Sequence, residues 1–269
     1  MMKKILAVLL AGVMLCGFAA CSSSGETSPT GSASSGNTAA GSTAPSNEAL
    51  SGIVKTGGST SVEKVMNALI YQFQDENRDV TVNYEMNGSG DGIQGVIDGK
   101  YEIGHSSRDL KDEEKEAGLE GTAYAIDGIA VVVNAQNGVT NLTKDQLLKI
   151  YSGEITNWSE VGGPDQNIVL ITRPSTSGTR ALFQEYALDG KEEITSSLET
   201  DDSGTLLQSV ADNEGAIGYV ALSYLVNNTS VAPVAVDGVE PTLENTYNGT
   251  YPVWGYEHMY TKGEPTGAV

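Results

Sequence analysis

Arg173-Pro174-Ser175-Thr176-Ser177-Gly178-Thr179-Arg180 gathers two guanidinium groups and four hydroxyls into eight residues. The segment follows an apolar, strand-like run at 168–172 and leads into a helix-like run at 181–188. A strand, a tight turn and a helix start bring unbonded backbone N–H groups and the positive end of a helix dipole to one point. Those donors, beside the hydroxyls and guanidiniums, are suited to hold a small oxyanion. A second hydroxyl-rich turn, residues 55–64 (KTGGSTSVEK), joins a short apolar run at 52–54 to another helical pattern, and Gly57 and Gly58 let backbone approach a ligand closely. Two such cradles imply one anion held from two sides.

Other motifs carry less. Asn87-Gly88-Ser89-Gly90-Asp91-Gly92 lies between strand-like and helix-like segments, where Ser89 could meet a ligand, with an ordinary turn as the competing reading. Residues 104–109 (GHSSRD) follow a short strand at 101–103 and precede an acidic helix at 111–116; Arg108 there could pair with Asp109 or Asp112. Ser61-Val62-Glu63-Lys64 matches the SxxK of serine β-lactamases and Lys55-Thr56-Gly57 their KTG, but in those enzymes KTG follows the nucleophile on a later strand. Neither GxxxxGK[ST] nor GxSxG occurs. The two histidines, His105 and His258, are far apart and without neighbouring cysteines, which argues against zinc.

The elements that must position these residues alternate from residue 51 onward, a pattern of α/β class. A helix is expected at 62–76, with Val62, Val65, Met66, Leu69, Ile70 and Phe73 recurring at spacings of three and four as a core stripe. Strands are expected at 80–86 and 126–134; the latter is nearly all apolar, as for a strand buried on both faces or crossing between domains. Thr143 and Gln146 form a capping box for a helix at 143–152. Further α/β units follow at 168–188 and 204–225, an irregular connection at 231–251, and a strand at 251–261. The final residues, KGEPTGAV, resemble the approach to a further helix, so the chain is expected to be cut at its C-terminus.

Lys3 and Lys4, an apolar stretch at 5–14 and small residues before Cys21 have the zones of a secretory signal. The small residues followed by cysteine resemble the lipobox of bacterial lipoproteins, which implies lipidation of Cys21. Residues 22–47 are rich in Ser, Gly, Thr, Ala and Pro, and read as a flexible tether. About 220 residues remain, enough for one large or two medium domains. Net charge is −20, and −22 once Lys3 and Lys4 depart, with 13 basic against 35 acidic residues. That sign argues against nucleic acid as a partner. Salt screens surface charge beyond about 8–10 Å, so an anion must be held by local donors inside a cleft.

Taken in order, GGSTS, GSGDG, GHSSRDL, IYSGEITNW, RPSTSGTR, GAIGYV and YTKGEP resemble the phosphate-binding lipoprotein subunit of bacterial phosphate ABC importers, over residues 52–265. The resemblance implies a two-lobed type II periplasmic-binding-protein fold with the ligand cleft between α/β lobes. Residues 1–20 would be the signal and 21–48 the tether. Residues 49–128 plus 258–269 would form lobe I, and 129–257 lobe II. It further implies that Thr60 and Ser61 bind phosphate from one helix start, Ser89 from a second, and Arg173, Ser177, Gly178 and Thr179 from the other lobe. Ser59 would be a neighbouring contact and Arg180 would orient the site. In the family an aspartate of the third segment accepts the proton of hydrogen phosphate; alignment puts Ser107 or Arg108 there, with Asp91 or Asp109 as substitute acceptors. The expected protein is a lipid-anchored extracytoplasmic receptor that delivers inorganic phosphate to the transmembrane subunits of an ABC permease, without catalysis, metal or cofactor. The open alternatives are a receptor for another tetrahedral oxyanion such as sulfate or molybdate, a hydrolase using Ser61 as nucleophile, and an adhesive or signalling surface protein.

Overall fold

A computed structural model describes residues 49–195 and 198–269; the leader, Cys21 and the tether lie outside the described residues. Strand β1 (Gly52–Gly58) pairs in parallel with β2 (Val80–Met86) and, on its other edge, with β3 (Ile103–Ser106). Parallel neighbours need crossover connections, supplied by α1 (Glu63–Glu76) and α2 (Ser89–Ile97). A short α3 (Asp112–Lys115) follows.

Strand β4 (Leu119–Asn134) is 16 residues long and changes partners midway. Residues up to Gly128 pair antiparallel with β10 (Trp254–Lys262). From Ile129 onward the partners are β8 (Ala216–Ala221) and β9 (Val231–Val236). Side chains alternate across a strand, and here both faces are covered. Ile129, Val131 and Val133 join the core cluster of Tyr151, Trp158, Phe183 and Tyr219. Ala130 and Val132 join Leu206, Val210, Val220 and Tyr224 on the other side.

Between these strands lie β5 (Asn141–Leu142), α4 (Lys144–Tyr151), β6 (Val169–Thr172), α5 (Gly178–Ala187), β7 (Leu198–Glu199) and α6 (Ser203–Asp212). The sheet path is β2-β1-β3-β10-β4-β8-β6-β7, with β9 pairing both β4 and β5. The capping box forms as read: Gln146 N–H donates to Thr143 Oγ1 at 3.1 Å, and Gln146 Oε1 accepts from the Thr143 N–H at 2.9 Å.

Two expectations fail. The α1 stripe is narrower than its periodicity suggests: Val62 and Met66 are buried, but Val65 is 40 % and Leu69 51 % exposed. The helix turns only one narrow seam to the sheet, and these two residues lie beyond it. The stretch 231–251 is not irregular; it holds β9 and a short α7 (Leu243–Tyr247). Its prolines mask a strand. Pro233 sits opposite Val132 in the β9–β4 pairing, while Val231, Val234 and Val236 are buried. Among the described residues no helix is long and apolar enough to cross a membrane.

Candidate functional site

The starts of α1, α2, α5 and α6 converge on one buried cluster of hydroxyls. Each start is shaped by local sequence. At Gly58 φ is +136°, and an added Cβ would lie 2.1 Å from the His105 carbonyl oxygen, so only glycine lets β1 turn toward α1 there. Ser177 caps α5, its Oγ accepting from the Arg180 N–H at 3.2 Å. Asp202 caps α6, its Oδ1 accepting from the Thr205 N–H at 2.8 Å.

Ser59, Thr60, Ser61, Ser89, Ser107, Ser177 and Thr179 are each at most 2 % exposed. Ser59 Oγ lies 2.5 Å and Ser61 Oγ 3.3 Å from Ser107 Oγ. The Ser107 N–H donates to Ser89 Oγ at 3.1 Å. These residues meet the second half of the chain directly, since Ser61 Oγ is 2.6 Å from Thr179 Oγ1 and Thr60 Oγ1 is 3.0 Å from Ser203 Oγ. Gly178 completes the approach: a Cβ there would fall 2.2 Å from Ser89 Oγ.

Arg173 is 1 % exposed. Its Nε donates to the Thr200 carbonyl at 3.0 Å, Nη1 to Ser203 Oγ at 3.1 Å, and Nη2 to Thr60 Oγ1 at 3.2 Å and the Asp201 carbonyl at 2.9 Å. Among the described residues no carboxylate forms an ion pair with it. Burial lowers its pKa, opposed by the charges of Tyr219, Asp202, Tyr224 and Asp201. A buried cation held only by neutral oxygens is costly to maintain, so its surroundings favour an anion beside it.

Arg180 is placed differently. Its Nη1 donates to the Arg173 carbonyl at 2.8 Å and its Nε pairs with Glu193 at 3.1 Å, so it orients the Arg173 backbone rather than facing the cluster. Burial pushes the Glu193 carboxyl up to about 7, with Arg180 acting in the opposite direction.

Arg108 is not brought into the cluster. Its guanidinium makes two bonds to Glu114, 2.7 and 2.8 Å, and a third to the Asp109 carbonyl. Its partner is thus neither Asp109's nor Asp112's carboxylate, because α3 turns Glu114 back toward the strand end. Asp91 makes no hydrogen bond to the cluster, and its carboxylate lies beside Gly88. Asp109 is drawn outward to His258, 3.4 Å away. The His105 ring sits between Tyr84 and Tyr124, with centroids 5.3 and 6.0 Å away. Burial pushes its pKa down to about 4, so it is neutral at physiological pH; only its backbone carbonyl reaches the site, accepting from the Ser59 N–H at 2.9 Å.

Two features escape the motif reading. Ser203, fully buried, bonds both Arg173 and Thr60; the legible signal was Asp202-Ser203 before the apolar helix, a cap pattern like that of the other cradles. Asp127 and Glu257 share one face of the β4–β10 ladder, on strands that read as structural.

Residues 27–268 match the model of the PBP superfamily domain. The phosphate-binding protein PstS of Bacillus subtilis is 43 % identical over 225 residues, covering 82 % of this chain and 73 % of the relative. That of Borreliella burgdorferi is 32 % identical, covering 77 % of each. A substrate-binding protein from Clostridium perfringens, assigned to phosphate ABC transport and solved with phosphate bound, superposes with a TM-score of 0.77 at 42 % identity, over 81 % of this chain and 89 % of that one. An ABC-type phosphate transport receptor from Vibrio cholerae gives 0.64 at 32 % identity, over 79 % and 88 %.

Proposed function

Because the chain belongs to the PBP superfamily, and within it to the phosphate-binding PstS proteins, we propose that it binds inorganic phosphate among the hydroxyls of Ser59, Thr60, Ser61, Ser89, Ser107, Ser177 and Thr179, the backbone at Gly178, and the Arg173 guanidinium. The observation that carries this reading is the buried Arg173 without a carboxylate counter-ion, aimed with four helix starts at one point. An anion there meets charge-assisted donors and helix dipoles in a site shielded from water. About ten such bonds, each worth about 1.5–3 kcal/mol before desolvation and closure, are compatible with the roughly −8 kcal/mol of micromolar binding.

The partner change in β4 at Gly128/Ile129 supports two lobes, residues 49–128 with 258–269 and residues 129–257, with the ligand between them. A hydrolase reading finds little support. The Ser61 hydroxyl meets other hydroxyls, and the lysine of its SxxK, Lys64, points to the Ser223 carbonyl at 3.4 Å and lies over the Tyr224 ring. Adding phosphate at about one hundred times Kd should stabilise the protein by about 2.7 kcal/mol. At about 2–4 °C per kcal/mol for a domain of this size, that is a rise in melting temperature of about 5–11 °C. No rise at millimolar phosphate would overturn the reading.

We further propose that the receptor works at the extracytoplasmic face of the membrane, held by lipid on Cys21, and delivers phosphate to the transmembrane subunits of an ABC permease. The leader, the small residues before Cys21 and the polar tether support this. Cys21→Ala is expected to move the protein from the membrane fraction to the soluble fraction with phosphate binding unchanged. Retention in the membrane fraction would show that something other than the lipid holds it.

A further inference from the structure

Two carboxyl groups share one face of the β4–β10 ladder. Asp127 stands opposite Gly255 and Glu257 opposite Ala125, two positions apart along the antiparallel pairing, so their side chains leave the sheet on the same side. Glu257 is 1 % exposed, and among the described residues no group hydrogen-bonds either of its carboxylate oxygens or Asp127 Oδ2. Among the described residues neither carboxyl forms an ion pair with a lysine or arginine.

Both residues line a cavity of about 450 Å³. That lies in the size class of small-molecule pockets, about 300–1,000 Å³. Its walls are apolar, formed by Val62 and Val65 at the start of α1, Leu222 and Val226 beyond β8, and Pro241 and Leu243 around the start of α7. Val226 is 66 % and Leu243 63 % exposed, so the cavity opens to solvent past them.

Carboxyl groups set among apolar side chains without donors are costly, and positive charge beside them relieves the cost. Burial raises the pKa of both, and the Glu257 carboxyl adds to the rise at Asp127; a neighbouring cation acts against both effects. A divalent metal ion does not suit the place. Calcium and magnesium need a shell of oxygens, whereas these walls are hydrocarbon, and among the described residues no three metal-ligating side chains gather anywhere. The chemistry that matches is a charged head on an apolar body.

We propose that this cavity is a second ligand site, which takes a small organic cation, with the ammonium of a primary amine against Asp127 and Glu257 and the apolar body against Val62, Leu222 and Leu243. Asp127, the less buried of the two, meets the ammonium directly, and Glu257 supplies a second negative charge behind it. The site does not depend on what the hydroxyl cluster holds.

The test is calorimetric titration of the mature protein with n-hexylammonium and, separately, n-hexanol, at a pH of about 7.5, where a primary amine keeps its charge. One-to-one binding of the amine is expected, at least about tenfold tighter than the alcohol of the same length, the margin that one charge-assisted hydrogen bond supplies. Asp127→Asn keeps the shape and removes the charge, so it should weaken the amine about tenfold or more and leave the alcohol within about twofold. Glu257→Gln should weaken the amine less, about threefold, because its charge acts without contact. A merely structural pair of acids would change the melting temperature in these variants and give the amine no advantage over the alcohol. No saturable binding of hexylammonium at millimolar concentration overturns the proposal, and so does an amine bound no more tightly than the alcohol. An amine affinity within about twofold of wild type in Asp127→Asn puts the ammonium elsewhere and overturns it as well. Should a variant not fold, the comparison of amine with alcohol on the wild-type protein decides.

Discussion

Arg173→Ala is expected to weaken phosphate binding by about 100- to 1000-fold, or about 3–4 kcal/mol, while leaving a folded protein. Hydrogen bonds to charged groups contribute about 1.5–3 kcal/mol each, and the planar guanidinium can supply two. The loss is large because the ligand, stripped of water in the cluster, would keep its charge and lose the buried Arg173 cation beside it. The fold should tolerate the change, since Arg173 is held by neutral oxygens whose partner, once removed, leaves no carboxylate stranded. Arg173→Lys is expected to recover little, because an ammonium cannot reproduce the planar fork that spans Thr60 and Ser203. Calorimetric titration measures both variants; an affinity for phosphate within threefold of wild type in Arg173→Ala would remove this residue from the site.

Gly178→Ala should be nearly as severe for a different reason. The added methyl carbon would lie 2.2 Å from Ser89 Oγ, 2.8 Å from Ser89 Cβ and 3.1 Å from Ser107 Cβ. Two contacts under 3 Å with the short, buried Ser89 side chain, one of them to its Cβ, cannot be relieved by rotating a flexible end. The start of α5 must then stand off from Ser89 and Ser107, and the donors on the two sides no longer reach one anion. About a 100-fold loss of affinity is expected, with the circular dichroism spectrum unchanged, since the helix itself accepts alanine better than glycine. Unchanged phosphate affinity would mean that the approach of Gly178 to Ser89 is not needed for binding.

What could be read from the chain depended on whether local chemistry carried the information. Thr143 and Gln146 announce a helix start by themselves, and the two partners bond each other in the structure. The apolar run at 126–134 read as a strand buried on both faces or crossing between domains because alternation was absent, and the residues from Ile129 divide between two cores. The hydroxyl-rich turns were equally legible, since Ser, Thr and Gly at helix starts are a local pattern; their meeting across more than one hundred residues is seen only in the folded chain. Arg108 is the converse. Its spacing gave no way to tell a ligand from Glu114, and the short α3 decides it. Val65 and Leu69 fit the helical period of their neighbours, yet the width of the buried seam depends on what packs opposite, which periodicity does not encode. Glu257 was hidden for a related reason: one acidic residue in an amphipathic strand is ordinarily solvated, and only the register with β4 puts it, buried, on the same face as Asp127.

The most direct test is a crystal structure of the mature protein grown with phosphate. A tetrahedral anion is expected within about 2.6–3.2 Å of the Ser61 and Thr179 hydroxyls, the Arg173 guanidinium and the backbone N–H groups at the start of α5, with the Ser107 oxygen beside the anion. Phosphate bound elsewhere, with Arg173 still bonded to Thr60 and Ser203 and touching no anion, would contradict the assignment of this cluster as the binding site.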